Sequence, residues 1–468
     1  MKENRLPQPG ENIMRTLPVG KLLLKMAPPL ILSMLVQAFY NIVDSMYVAQ
    51  YSENAVTALS LAFPVQNLQI GSGIGLAVGM NSLLSKSLGE GDVKKANRVA
   101  GNSIFLMLIL TVAFMLFGAF GAAWYYNSQP ISAETAAAGT VYTQICSIFT
   151  LGIFVQILTE RMLQSTGKTI YTLFTQGSGA ILNIILDPLF IFGYEPLGIP
   201  SLGVAGAAVA TVISQWFAAG LGIFFNLTRN KDLSFGLKYL KPSLSVIRKI
   251  LGVGIPAGLM NAIGSVMVFG FNQILLGFTE VGETASGVFG IYFKLQSFFF
   301  MPVFGLNNAG ISIIAYNYGA GLPKRIMQAL KWVIGVSLGV MLAGVAAFQF
   351  IPDVLMGIFE NDHAQSHIFV EMGIGALQII SLSFPLAAVG IALSCTFQAL
   401  GNGIYSTCQS LCRQLVVLLP SAYLLSLSGN VNLVWWAFPI AEIFSLLMTF
   451  VFFARIYKTK IKPLYGKE

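Results

Sequence analysis

The sequence predicts an all-α polytopic membrane protein of twelve transmembrane helices, arranged as two six-helix lobes related by internal duplication. Three observations carry that prediction. Only 10% of the 468 residues are charged, against about a quarter in an ordinary soluble domain, while 55% are hydrophobic and the mean hydropathy is +0.74. Apolar runs of roughly twenty residues, the length a helix needs to cross a bilayer, recur along the whole chain. Basic residues, finally, gather on one side of those runs.

Taken in order, the runs predict spans near 28–48, 58–84, 99–122, 141–163, 170–192 and 204–227, then 250–277, 285–316, 332–352, 367–397, 403–427 and 433–454. The N-terminal segment, the loops after even-numbered spans and the C-terminal segment hold 24 of the 27 Lys and Arg residues; the exceptions are Arg161, close to a cytoplasmic helix end, Lys294 and Arg413. The odd-numbered loops are acidic or neutral, with Glu53, Glu134, Glu195, Glu280, Glu283, Asp353, Glu360 and Asp362. Positive loops stay inside, so both termini are expected in the cytoplasm and the chain in the cell (inner) membrane. A misplaced span would scramble this segregation. The domain plan is therefore a cytoplasmic segment 1–27, an N-lobe 28–227, a cytoplasmic linker 228–249, a C-lobe 250–454 and a cytoplasmic tail 455–468.

Several classes drop out. The net charge of +8 is explained by loop topology and not by nucleic acid. No room remains for a soluble catalytic domain, and no histidine lies within a span beyond His367 at the first residue of one, so an enzyme is not expected. Because eleven apolar runs follow the first, that run is expected to stay as a helix and not to be removed as a leader. Cys146, Cys395, Cys408 and Cys412 all lie inside apolar runs, which suits packing and neither a disulfide framework nor a metal site. His363 and His367 have helical metal-ligand spacing, but in an acidic external loop they are read as solvated. Gly71-Ser72-Gly73-Ile74-Gly75 lacks the third glycine and the preceding strand of a nucleotide fingerprint, and close helix packing through Gly75 and Gly79 explains it better. The stretch Phe298-Phe299-Phe300-Met301 reads as packing, with Met301 open to a cavity-lining role.

The two halves repeat. Leu88-Gly89-Glu90-Gly91-Asp92-Val93-Lys94-Lys95 after span two answers Tyr318-Gly319-Ala320-Gly321-Leu322-Pro323-Lys324-Arg325 after span eight. Gln164-Ser165-Thr166-Gly167 after span four answers Gln398-Ala399-Leu400-Gly401 after span ten, and Pro29 answers Pro256. Six helices separate the members of each pair, so the duplication is parallel. Two such bundles around a central cavity suit alternating access, one rocking against the other.

Ionisable groups inside spans are costly, about 2.5–3.5 kcal/mol on insertion scales, and are functional candidates by default. In the N-half these are Asp44 and Asp187, with Glu160 beside Arg161 nearer a helix end. Asp44 and Asp187 each fall about 16 residues into spans of the same direction, hence about 24 Å from the inner end. Asn41 and Asn183 stand three and four residues before them, on the same helix faces. Such an oxygen cluster suits Na+; equally, adjacent carboxyls in a low dielectric retain a proton. The plain alternative is hydrogen bonding between neighbouring helices. The C-half has no acid where Asp44 would repeat; its embedded charges are Lys294, Arg413 and Glu442, open to either a buried network joining three helices or contact with a substrate or lobe gate.

These residues resemble the multidrug and toxic compound extrusion (MATE) transporters, in the bacterial MepA-like branch. The carriers are Pro28-Pro29 with Asn41 and Asp44, the Gly89-x-Gly91 loop and the Gln164-Ser165-Thr166-Gly167 turn. Asn183-Ile184-Ile185-Leu186-Asp187-Pro188, Gly203-Val204-Ala205-Gly206-Ala207-Ala208 and the matching second half complete the set. The resemblance runs over nearly the whole chain. It implies export of cationic or amphipathic organic compounds in exchange for Na+ or H+ by V-shaped lobes, with Thr211 joining Asp44, Asp187, Asn183 and Asn41 at the coupling site. No cofactor beyond the coupling ion is expected, and the partners are small organic molecules and the lipid bilayer, with the protein a monomer. The competing class is a flippase of lipid-linked oligosaccharide, which should show a strongly basic cavity.

Overall fold

The computed structural model describes residues 12–129, 131–234, 236–279, 281–357 and 366–466. Glu280, Glu360, Asp362 and His363 lie outside the described residues. A short α1 (Ile13–Thr16) precedes α2 (Val19–Tyr51), α3 (Glu53–Gly89), α4 (Val93–Leu116), α5 (Ala122–Asn127), α6 (Ala133–Ile148), α7 (Leu151–Ser165), α8 (Ile170–Ile191) and α9 (Val204–Arg229). The second half holds α10 (Leu244–Leu276), α11 (Gly282–Gly319), α12 (Pro323–Phe350), α13 (Pro352–Gly357), α14 (Ser366–Ser381), α15 (Phe384–Ala399), α16 (Gly403–Leu411), α17 (Leu418–Ser426), α18 (Val431–Val434), α19 (Ala437–Ile456) and α20 (Lys462–Tyr465).

Among the described residues nine helical stretches are long and apolar enough to cross a membrane. Two bent pairs, α6 with α7 at 46° and α14 with α15 at 47°, each supply another. These are the fourth and tenth spans, so the duplicated halves bend at corresponding places. The remaining span is α3, 37 residues long. It carries Gln69, Asn81, Ser82 and Ser85 where other helices enclose it, and a helix shielded from lipid can hold polar side chains that a lipid-facing one cannot.

Two helices tie the lobes together. The first half of α2 packs Leu22, Met26 and Leu30 among Leu306, Ile313 and Ile326 of the C-lobe, whereas Val48 near its end lies with Ile191 and Val204 of the N-lobe. Helix α10 mirrors it: Ile250 packs with Leu76, Met80 and Phe154 of the N-lobe, and Met267 and Phe271 with the C-lobe core. Pro256 in α10 stands between its two territories, while Pro28 and Pro29 in α2 lie within the C-lobe contact, just before Leu30. Proline withholds an N–H and breaks the i to i−4 ladder, so α10 can bend where it changes lobes and α2 within its C-lobe contact.

The seam between the lobes is built from glycine. A side chain at Gly75 would strike the backbone of Gly254 and Gly258, and one at Gly79 the backbone of Ile250 and Gly254, so the glycines of α3 seat it directly on α10. This is the helix packing expected of the Gly71–Gly79 run. At the end that carries the basic loops the repeat motifs meet reciprocally. A side chain at Gly89 would meet the Tyr316 carbonyl and Ala320, and one at Gly319 the Lys86 carbonyl and Glu90. The second glycine of each motif makes the turn instead, for Gly91 and Gly321 stand at φ +76° and +70°, a left-handed conformation closed to most side chains. Gly167 and Gly401, the other repeated pair, do the same at +81° and +78°.

Polar contacts reinforce this end. Asn81 Oδ1 accepts from Ser165 Oγ at 2.7 Å, Ser312 Oγ at 3.0 Å and Ser85 Oγ at 3.1 Å, so one amide joins α3, α7 and the C-lobe helix α11. Ser82 Oγ donates to the Gln398 carbonyl at 2.7 Å, and Lys86 Nζ lies 4.9 Å over the Tyr318 ring. The segment around α1 spans the same seam. Arg325 of the C-lobe donates to the Met14 and Leu17 carbonyls at 3.0 and 2.7 Å, while Asn12 donates at 3.4 Å to Asp232 of the inter-lobe linker, which pairs with Lys168 of the N-lobe.

Candidate cation site and N-lobe cavity

The oxygen cluster forms where α2 crosses α8. Asn183 and Asp187 are one turn apart on α8, and Asn183 Nδ2 donates to Asp187 Oδ1 at 3.1 Å. Asp187 is fully buried at 0% exposure and Asn183 nearly so at 2%. Asp44, half-buried on α2, brings its carboxyl within hydrogen-bonding reach of Asp187. Asp44 Oδ1, Asp187 Oδ2 and Asn183 Oδ1 are all buried without a hydrogen-bond donor among the described residues. Three acceptor oxygens are thus left unsatisfied among the described residues, which is costly unless a proton or cation satisfies them. Asn41, by contrast, is exposed, although it lies only one turn before Asp44.

Below this cluster the N-lobe encloses a cavity of about 130 Å³. Tyr40, Asn183 and Thr211 line it, and Thr211 of α9 is half-buried there. Glu160 and Arg161 line it as well, with Gln156, Gln164, Thr172 and Gln176. Glu160, 4% exposed, is held by three donors: Gln156 Nε2 at 3.1 Å, Thr175 Oγ1 at 2.9 Å and Gln176 Nε2 at 2.8 Å. Position near a helix end keeps Glu160 out of the coupling set when the sequence is read alone. Glu160 lies near the C-terminal end of α7, and an acid with Gln156 four residues before it inside an apolar run is the available signal. The wall is rich in unsatisfied polar atoms, for Thr172 Oγ1, Gln176 Oε1 and Ser214 Oγ also lack partners among the described residues. Buried polar groups of this kind mark a space that water or a polar ligand fills.

In the C-lobe the three embedded charges separate into a pair and a single residue. Arg413 Nη1 lies 3.4 Å from Glu442 Oε1, joining α19 to the π-helical turn Cys412–Val416. Lys294 is exposed on α11 and makes no ion pair among the described residues. Depth alone groups the three; rotation about the α11 axis parts them. His367 of the histidine pair is exposed beside Glu371 at 4.0 Å, and among the described residues no group of three or more His, Cys, Asp or Glu could hold a metal ion. The four cysteines are free.

Fold and site together define a two-lobed, all-helical membrane protein with an acidic cluster and a polar cavity in one lobe. The MatE family model matches it twice, over residues 29–189 and 256–424, and the chain belongs to that family. It is 26% identical over 454 residues to a multidrug export protein MepA of Staphylococcus saprophyticus, covering 96% of this chain and 97% of the relative. With a MepA of Staphylococcus aureus it shares 27% over 435 residues, 91% of each chain. Among solved structures, an outward-facing multidrug resistance MATE family transporter superposes with a TM-score of 0.89 over 99% of this chain and 100% of that one, at 24% identity. A MATE crystal structure in a straight conformation gives 0.89 over 98% and 100%, at 23% identity.

Proposed function

We propose that this protein is a secondary multidrug exporter that exchanges cationic or amphipathic organic compounds for Na+ or H+ by alternating access of its lobes. The carrying observation is the convergence of Asp44 Oδ1, Asp187 Oδ2 and Asn183 Oδ1 as buried acceptors without donors. Two adjacent carboxylates in a low dielectric cannot both remain charged and unaccompanied, so the pair takes up a proton or a hard cation. Entry of an organic cation into the neighbouring cavity, whose wall carries Glu160, competes with that uptake, and competition of this kind is what exchange requires. The relatives named as multidrug export proteins support the same reading. Both termini are cytoplasmic in a cell membrane, by the positive-inside distribution, and the protein works as a monomer.

The test is uptake of a fluorescent organic cation into proteoliposomes under separately imposed Na+ and proton gradients. One of the two gradients should drive wild-type transport, and Asp44→Asn and Asp187→Asn should each lose that dependence while inserting and folding normally. Wild-type transport from both variants would overturn the coupling site. Transport by neither gradient in the wild type would overturn the exchange.

A further inference from the structure

We infer that Lys294 is the anion-recognising group of the cleft between the lobes, and that it selects amphipathic substrates carrying a carboxylate as well as a cationic group. The inference rests on the proposed reading of the cleft as the substrate path. It begins from the register of α11. Tyr292, Leu295, Phe299 and Val303 face the C-lobe core, and Lys294 lies on the opposite side of the helix. Gly305 stands eleven residues further on, about three turns, and therefore on nearly the same face as Lys294. That face is the one that meets the N-lobe: a side chain at Gly305 would come within 2.9 Å of the Ile31 backbone in α2. Asn308, a turn beyond, lines the N-lobe cavity itself.

Lys294 thus projects from the wall that closes on α2, but about 17 Å along the helix from the closure, where it is exposed. An ammonium turned to hydrocarbon at this depth would be expensive, whereas one turned to a water-filled cleft is solvated. The other basic group of the C-lobe interior, Arg413, is neutralised by Glu442. Lys294 consequently presents an uncompensated positive charge to whatever enters, across from a lobe whose interior charges are largely acidic. A substrate bearing only positive charge gains from the N-lobe and loses at Lys294. An amphipathic zwitterion can satisfy both walls, its cationic end toward the N-lobe and its carboxylate on Lys294, with Met301 two turns below offering soft apolar surface to the hydrophobic body.

The experiment compares rhodamine B, which carries a free carboxylate, with its ethyl ester, which does not. Binding to the purified full-length protein in lipid nanodiscs is read by fluorescence anisotropy, with thermal unfolding as the control for folding. A charge-assisted hydrogen bond predicts a preference of about tenfold or more for the free acid in the wild type. Lys294→Arg should keep that preference, Lys294→Gln should erase it and Lys294→Glu should turn it toward the ester. An acid-to-ester ratio unchanged by Lys294→Gln, equal binding of the two dyes by the wild type, or binding of neither overturns the inference. Because this readout is equilibrium binding, a wild type that binds both dyes but fails to transport under any gradient condemns the exchange alone, and the binding ratio still decides the role of Lys294.

Discussion

Asp187 and Glu442 are both acids buried inside a helical lobe, yet their surroundings give them opposite consequences. Asp187 shares its pocket with Asp44 and receives one amide donor, leaving acceptors in excess. Replacing it by Asn removes a charge that the chain itself does not neutralise. Asp187→Asn should therefore melt within about 1 kcal/mol of the wild type, or above it, even as coupling is lost. Glu442 instead neutralises Arg413. Glu442→Gln leaves a guanidinium without its counter-charge in a partly buried site and should lower stability by roughly 1–3 kcal/mol. The surviving protein should keep its ion dependence. Thermal unfolding in detergent and gradient-driven transport, measured on both variants, separate the two cases; a Glu442→Gln that melts normally and loses coupling would move the ion site into the C-lobe.

The repeated glycine loops allow two roles within one element to be separated. Gly91 has open space around it but a left-handed backbone, so Gly91→Ala should cost about 1 kcal/mol through strain and leave transport nearly intact. Gly89 has an ordinary backbone but no space, and Gly89→Ala should force α3 away from the Tyr316 carbonyl and sharply reduce transport. Melting curves beside initial rates check both, and equal effects would mean that the close approach has no role. The helices themselves are legible in the sequence because membrane spans announce their length and apolarity, and the matching depth of Asp44 and Asp187 follows from counting residues along two such helices. Rotation is not legible. A helix buried on most sides shows no apolar stripe to orient it, so depth groups Lys294 with Arg413 and Glu442, whereas in the structure Arg413 pairs with Glu442 and Lys294 is exposed away from them. The bends at 46° and 47° are only partly marked, since Pro385 opens the helix after the second break whereas the break after Ile148 contains no proline.

At the scale of the whole molecule, the described contacts between the lobes concentrate toward the end bearing the basic loops. Gly89 and Gly319 meet the opposite backbone there, Ser82 reaches Gln398, and Lys86 lies over Tyr318. Further along α11, Lys294 is exposed on the face that Gly305 presses against α2. A rocking exchange requires this seam to open once in each cycle, because the N-lobe cavity must then reach the other side. Holding it shut should stop transport without disturbing either lobe. With the native cysteines replaced, a Lys86→Cys and Tyr318→Cys pair, at positions whose native side chains meet across the lobes, can be bridged by a bifunctional thiol reagent with a cleavable disulfide. Transport should fall to background on bridging and return on reduction, while either single cysteine treated with the same reagent stays active. Binding of an organic cation, entering from the opposite end, should persist in the bridged protein. If complete bridging leaves the transport rate at its unbridged value, the seam does not open during the cycle, and the substrate must pass through the N-lobe without any rocking of the two halves.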